Sequence, residues 1–195
     1  MNTRSLLAPL LLLPLAACIS FGAKPPPSLL TLNSAVEIPV GETRSSNAAA
    51  SITIAVPSST QELATPRVPV RQNGTTVAYV KDAQWVELPA RLFARLLADT
   101  VTAKTGRVVL SNRQSLIDPG ARLTGELRQF GVDATAGEAI VTYDASLIRG
   151  AEPVFEKRRF EARVAISEVE AGAVGAALNE AANRVAAEVA EWVGK

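Results

Sequence analysis

Three long stretches of alternating side chains in the second half of the chain constrain its fold most strongly. Apolar and polar residues alternate along residues 122–133, 139–149 and 155–166, and a period of two is typical of a β-strand with one buried face. Glycine-containing turns separate the stretches, which predicts an antiparallel meander. The apolar phase of the first stretch shifts near Gln129, which predicts a β-bulge. In the last stretch the residues predicted to point inward are Phe160, Ala162, Val164 and Ile166. Those predicted to point outward are Lys157, Arg159, Glu161 and Arg163.

Two other stretches, residues 87–103 and 170–193, have the 3.6-residue period of amphipathic helices. Pro89 lies in the first turn of the earlier helix, where a missing N–H costs nothing, and Gly106 is predicted to end that helix. Each helix has one apolar stripe that must cover another apolar surface. One face of a sheet meets this requirement for both helices.

The remaining elements are short strands, predicted at residues 29–32, 51–56, 68–72, 75–80 and 107–110. Asn73-Gly74 predicts a two-residue hairpin turn, and Pro69 predicts that the first arm of this hairpin is an edge strand. Residues 41–50 lack periodicity and are predicted to form a loop. The order of elements predicts an α/β composition of the α+β type, with a single, mostly antiparallel β-sheet and two α-helices packed on one face. Neither repeats nor a second domain are expected.

The amino terminus has the features of a secretory signal that ends in a lipidation site. An apolar run follows Arg4, and it is shorter than the roughly 20 residues that span a bilayer. Leu15-Ala16-Ala17-Cys18 resembles the bacterial lipobox, in which cleavage falls between Ala17 and Cys18 and the cysteine thiol carries diacylglycerol. The alternatives are an ordinary signal peptide and a buried helix with an incidental cysteine. The lipobox predicts a signal peptide (1–17), a lipid-anchored linker (18–28) and one folded domain (29–195).

The residue types present exclude several classes of function. The chain has no histidine, and Cys18 is its only cysteine, so the commonest general base, the commonest metal ligand and any intramolecular disulfide are absent. Arg4 is the only charge in the signal peptide, and its loss leaves basic and acidic side chains in balance, which argues against a nucleic-acid partner. We expect no catalytic residue, no metal and no cofactor other than the lipid on Cys18. An anchored hydrolase that uses carboxylates alone is the enzymatic alternative.

From residue 29 to residue 193 the chain resembles the ABC-type transport auxiliary lipoproteins, of the paraquat-inducible outer-membrane lipoprotein type. The resemblance rests on the lipobox with Cys18, the strand 52–56 with Pro57, the segment 68–79, Trp85 before the helix 88–97, and the meander with its alanine-rich closing helix. The loop at 41–50 is longer and more polar than the family pattern.

The resemblance implies a non-catalytic subunit of an intermembrane lipid-transport system. In such systems an inner-membrane ABC transporter or permease works with mammalian-cell-entry (MCE) domain proteins that bridge the periplasm. The lipoprotein is expected to dock the far end of the MCE assembly at the outer membrane. Lipoproteins kept in the inner membrane commonly carry Asp after the lipidated cysteine, so Ile19 favours the periplasmic face of the outer membrane.

Two groups of residues are candidates for partner contacts. Trp85 at the helix entry, with Tyr79 nearby, is interpreted either as a partner or lipid contact or, more simply, as packing of the loop onto the helix. Lys157, Arg159 and Arg163 are interpreted either as a basic stripe for an acidic partner or lipid headgroups, or as a solvated strand face. Two further functions fit the pattern, namely a stand-alone periplasmic lipid-binding module and an outer-membrane assembly lipoprotein. Association into a homo-oligomer is also compatible with it.

Overall fold

A computed structural model describes residues 26–41, 45, 51–110, 120–150 and 154–195. Ala17, Cys18, the rest of the signal peptide and most of the predicted linker and 41–50 loop lie outside these residues. The elements in chain order are β1 (Ser51–Ile54), β2 (Ser58–Ser59), a 3-10 turn (Gln61–Leu63), β3 (Arg67–Arg71), β4 (Val77–Gln84), α1 (Pro89–Thr105), β5 (Val108–Leu110), β6 (Ala121–Asp133), β7 (Glu138–Ile148), β8 (Phe155–Ala165) and α2 (Ala171–Val193).

The strands form one mixed, eight-stranded sheet built around β6. On one side of β6, β7 and then β8 follow in antiparallel register. On its other side, β1, β2 and β3 pair in parallel with successive stretches of β6, and β5 and β4 extend the sheet beyond β1 and β3. The predicted α+β class with one sheet and two helices is confirmed. The register between β6 and β7 shifts between Leu127 and Gln129, which confirms the predicted bulge.

Both helices pack on the same face of the sheet. Tyr143 of β7 and Phe160 of β8 are register partners and therefore point to one side. Phe93 of α1 packs on Tyr143 with ring centroids 5.3 Å apart, and Trp192 of α2 packs on Phe160 at 5.6 Å. Small side chains along α2 let this helix approach the sheet and α1 closely, and the buried ones are Ala177, Ala181, Ala182, Ala186 and Ala190.

The boundaries of both helices follow from their local chemistry. Pro89 begins α1, as its place in the predicted first turn implies. Gly106 ends this helix in the left-handed conformation with φ 71°, and its N–H donates to the carbonyl of Thr102 at 3.1 Å. This conformation is strained for residues with a Cβ, so the predicted glycine stop is confirmed.

Three local predictions in the first half of the chain were wrong: the strand at 29–32, the two-residue turn at Asn73-Gly74 and the edge strand marked by Pro69. Residues 29–32 form no strand, and only Leu30 makes a bridge, to Trp85. The Asn73-Gly74 turn is a longer loop, because Gln72 N–H donates to the Thr76 carbonyl at 3.1 Å and the Asn73 side chain accepts the Thr75 N–H at 3.0 Å. Local capping by Asn73 thus replaces the two-residue turn.

The prediction that Pro69 marks an edge strand was also wrong, because β3 has neighbours on both sides. The register of β3 against β4 shifts between Arg67 and Pro69, and pairing of β3 with β6 begins only at Val70. The missing N–H of Pro69 therefore costs β3 no hydrogen bond to a neighbouring strand. Gly131 of β6 makes room for it, since a Cβ there would lie 2.4 Å from the Pro69 carbonyl oxygen.

The amino-terminal segment 30–36, which we call the strap, is fastened across α2. Two asparagines one helical turn apart bind its backbone: Asn33 N–H donates to Asn179 Oδ1 and Ala35 N–H to Asn183 Oδ1, both at 2.8 Å. Asn183 Nδ2 also donates to the Asn33 carbonyl at 2.9 Å. Leu30 fills the space above Gly175, where a Cβ would lie 2.7 Å from its side chain. The strap thus fixes where the chain enters the domain.

Replacing Asn183 by alanine is expected to release the strap without unfolding the domain. Two hydrogen bonds to the strap are lost, each contributing about 0.5–1.5 kcal/mol, so the strap amides should exchange roughly 5- to 100-fold faster. Hydrogen exchange with mass spectrometry measures this. Asn73→Ala, in the loop between β3 and β4, is the matched control and should leave the strap unchanged. Wild-type exchange of the strap in Asn183→Ala would show that these bonds do not hold it.

Candidate functional site: the outward face of the sheet

The side of β6, β7 and β8 that points away from the helices forms a charged surface, which we call the outward face. Strand alternation selects its residues, and three register pairs between β7 and β8 define its centre: Thr142 with Glu161, Asp144 with Arg159, and Ser146 with Lys157. Their neighbours in sequence, such as Tyr143 and Phe160, point into the core instead. The outward face is therefore a direct product of the period-two pattern.

Asp144 and Arg159 form a bidentate ion pair on this face. Arg159 Nε and Nη2 donate to the two carboxylate oxygens of Asp144 at 2.5 and 2.7 Å, a parallel fork geometry. Arg128 lies on the other side of the carboxylate, with its Nε 4.0 Å from Asp144 Oδ2. The hydrogen bonds from Arg159 hold the pKa of Asp144 below its ordinary value, and they raise the pKa of the Arg159 guanidinium.

Glu161 and Arg163 form a second group on the same face. Burial alone would raise the pKa of Glu161, but hydrogen bonds from Arg163 Nε at 2.8 Å and from the Thr142 hydroxyl at 2.9 Å outweigh it, so the pKa is lowered. Arg163 also donates to Glu138 at 3.3 Å. The carboxylates of Asp144 and Glu161 therefore stay ionised near neutral pH.

Acid should weaken the fold partly through Asp144. Its pKa is lower in the folded chain than in the unfolded chain, so its contribution to stability is present above the unfolded value of about 3.8 and is lost as the pH falls through the folded pKa. We expect the wild type to lose more stability between pH 6 and pH 2 than Asp144→Asn does, as measured by urea unfolding. Glu168→Gln, an exposed position on the loop after β8, is the matched control. Equal losses in Asp144→Asn and the wild type would contradict this expectation.

The structure brings three of the five candidate contact residues together. Lys157, Arg159 and Arg163 all project from β8 onto the outward face. Arg159 and Arg163 are ion-paired, whereas Lys157 is exposed and makes no ion pair with any residue that the structure describes. Lys157 is therefore the cation of this stripe most available to a partner.

Tyr79 and Trp85 lie elsewhere. Trp85 is 1% exposed and packs edge-on against Phe130 at 5.4 Å, so its side chain presents almost no surface to a partner. This is the packing role that the sequence favoured. Tyr79 of β4 is half-buried beneath the guanidinium of Arg67, which lies 4.2 Å from the ring centroid. This cation–π contact accounts for the position of Tyr79.

One end of the outward face is apolar. Phe155 opens β8 with 63% of its surface exposed, and Val154 just before it is 60% exposed. Ile148 is the register partner of Phe155 on β7. Aromatic residues are enriched in protein–protein contact surfaces, so the exposed ring of Phe155 makes this end of the outward face a candidate contact.

Sequence reasoning missed several members of this face. Asp144, Arg128 and Arg71 project from three different strands, and only the strand order and register place them beside Arg159 and Arg163. The alternation along 139–149 was the available signal for Asp144, since the apolar residues Tyr143 and Ala145 flank it. For Arg71 no local signal existed.

The fold agrees with solved structures. It resembles a crystal structure of a Xanthomonas campestris protein described under family DUF330, with a TM-score of 0.69, 20% identity, and coverage of 85% of this chain and 94% of that one. A second crystal structure, of an uncharacterized protein, gives a TM-score of 0.64 and 12% identity over 74% of this chain and 93% of the other. These identities support the fold alone. No curated protein matches the chain significantly.

A family model described as the ABC-type transport auxiliary lipoprotein component matches residues 31–190. The chain belongs to this family. The resemblance found in the sequence is thus confirmed, and with it a role as an auxiliary component of an ABC-type transporter and an association with a membrane as a lipoprotein. Among the described residues of this auxiliary lipoprotein, no helix has the length and apolar character needed to cross a bilayer. Nor do the same residues gather three or more His, Cys, Asp or Glu side chains in a way that could hold a metal ion.

Proposed function

We propose that this auxiliary lipoprotein is a non-catalytic subunit of an MCE-type lipid-transport system, which docks the periplasm-spanning MCE-domain protein at the outer membrane through the outward face. Membership of the transport-auxiliary family supports a transporter partner. The single observation that carries the docking role is the outward face itself, a charged surface with an exposed aromatic end that neither helix covers.

The attachment to the membrane is proposed to run through Cys18. Two or three acyl chains on this residue would give a stable anchor, since one chain alone binds only marginally. The linker 18–28 then leads to the strap, whose hydrogen bonds to Asn179 and Asn183 fix the entry of the chain on α2. Because α2 covers the opposite side of the sheet, the outward face stays accessible to a partner while the chain is tethered.

The outward face is better suited to a partner than the exposed surfaces of the helices. Arginines and aromatic rings are enriched in protein interfaces, and this face offers Arg159, Arg163 and Phe155 together with the available Lys157. Arginines held in place by carboxylates lose little side-chain freedom when they bind. The exposed side of α2 offers charges such as Glu180 and Arg184, but none of the large apolar side chains of this helix is exposed.

Affinity capture from detergent-solubilised membranes tests the proposal. The tagged wild-type chain should recover an MCE-domain protein, and the double variant Phe155→Asp with Lys157→Glu should recover at least about tenfold less, the effect of losing 1.4 kcal/mol or more of binding free energy. The double variant Val77→Asp with Lys81→Glu introduces the same acidic side chains at exposed positions of β4 and should behave as the wild type. Recovery of no MCE-domain protein by the well-expressed wild type would overturn the proposal, and equal recovery by both double variants would remove the outward face from it.

A further inference from the structure

The outward face contains a cavity of about 360 Å³ whose wall is rich in arginine. Four guanidinium groups line it, together with the hydroxyls of two threonines: Arg71, Arg128, Arg159, Arg163, Thr60 and Thr142. The cavity lies at the bulge of β6, where the extra residue between Leu127 and Gln129 is Arg128. Bulges commonly redirect a side chain beside a binding site.

The residues that line the cavity include more arginines than carboxylates. Glu161 is the one carboxylate that lines it, against four arginines. The other carboxylates that pair with these arginines do not line the cavity, and they are Glu62, Glu126, Asp133, Glu138 and Asp144. A guanidinium has five N–H donors, and the hydrogen bonds of these arginines to carboxylates use one or two of them, so donors remain for a further anion.

Two threonine hydroxyls add buried polar groups to the wall. Thr142 is 4% exposed, and its oxygen lies 3.1 Å from Gln129 Oε1 and 2.9 Å from Glu161 Oε2. Thr60 Oγ1 is buried without a hydrogen-bond partner in the part of the chain that the structure describes. A buried hydroxyl without a partner costs about 1–3 kcal/mol, so rotation of the Thr60 side chain toward a ligand oxygen in the cavity would be favourable.

We propose that this cavity binds a phosphate group. Guanidinium forks match the oxygens of phosphate, and arginine is the side chain best suited to planar, bidentate recognition of such anions. A tetrahedral phosphate can accept hydrogen bonds in several directions at once. This suits donors that reach the cavity from β3, β6 and β8 and from the turn before the 3-10 helix. The volume leaves space for the small ester group of a lipid headgroup or of a soluble phosphate ester. The cavity shares Arg159 and Arg163 with the proposed docking surface, but phosphate binding does not require that a partner docks there.

Calorimetry on the full chain in a phosphate-free, non-ionic detergent tests the site, with inorganic phosphate titrated at constant ionic strength. We expect saturable binding to the wild type. Arg128→Gln should weaken phosphate binding at least tenfold. This arginine is paired only with partly exposed carboxylates, so its loss should leave the core intact. Thr60→Val should weaken phosphate binding severalfold without removing any charge. Arg91→Gln, on the exposed side of α1, is the matched control and should bind as the wild type does.

Two competition arms then distinguish the source of the phosphate. Displacement by phosphatidylglycerol vesicles, but not by neutral ones, would identify a lipid headgroup, whereas displacement by glycerol 3-phosphate alone would identify a soluble ester. The absence of saturable binding to the wild type would overturn the proposal, as would an equal loss in Arg128→Gln and Arg91→Gln. Wild-type affinity in both Arg128→Gln and Thr60→Val would overturn it as well. Capture of an MCE-domain protein is measured separately, so failure of one proposal leaves the other testable.

Discussion

Replacing Phe130 by alanine is expected to lower the free energy of unfolding by about 3–5 kcal/mol, because it opens a cavity at the centre of the aromatic core. Phe130 is 1% exposed, and its ring lies 5.4 Å from that of Trp85 and 6.5 Å from that of Phe93. Phe93 in turn contacts Tyr143 of β7. Loss of the Phe130 ring therefore removes the shared contact between the start of α1, the end of β4 and the central strand β6.

Urea unfolding followed by far-UV circular dichroism measures this change. Phe155→Ala removes the same ring from a position that is 63% exposed, so it is the matched control and should change the free energy of unfolding by less than about 0.5 kcal/mol. Equal destabilisation by the two variants, or a loss below 1 kcal/mol in Phe130→Ala, would show that the aromatic cluster is not the centre of the core.

The second large effect is expected from Cys18→Ala, which should remove the proposed membrane anchorage almost completely and leave the folded domain intact. Without the thiol no diacylglycerol can be attached, and no acyl chain then holds the mature chain at the membrane. Cys18 precedes the folded domain predicted at 29–195, so thermal unfolding is expected to match that of the wild type. Cell fractionation measures the anchorage, with Ser20→Ala as the control.

Retention of Cys18→Ala in the outer-membrane fraction would contradict the lipid anchor. A change in its unfolding temperature would instead point to a structural role for the amino-terminal segment. The two readouts separate anchorage from folding, because only the first depends on the lipid.

The long elements could be predicted because their signals are local. Alternation alone places Val141, Tyr143 and Phe160 inward, and their burial in the structure agrees. The bulge at Gln129 was visible as a phase shift, and Gly106 as a helix stop. These features depend on neighbours within one strand or one turn, which the sequence shows directly.

The features that failed depend on distant partners. Leu30 pairs with Trp85 instead of a strand, and its segment is held by Asn179 and Asn183, about 150 positions away in sequence. No local sequence pattern predicts such a contact. The parallel pairing of β3 with β6 likewise places Pro69 inside the sheet, where propensity alone argues against it.

The candidate site was predicted in part for the same reason. The outward positions of Lys157, Arg159 and Arg163 follow from the alternation of β8. Their carboxylate partners and the arginine-walled cavity require the order of β3, β6, β7 and β8, which periodicity does not contain. The burial of Trp85 also depends on a distant partner, since its ring packs in the core against Phe130 of β6.

Site-specific photo-crosslinking in intact cells tests the central claim most directly. A photo-reactive residue is placed at Lys157 on the outward face or, in a separate chain, at Glu188 on the exposed side of α2. We expect position 157 to form an adduct with an MCE-domain protein and position 188 to form none, because the helices cover the opposite side of the sheet. Docking through the outward face would be contradicted if only position 188 formed an MCE adduct. It would also be contradicted if neither position formed one in correctly localised protein.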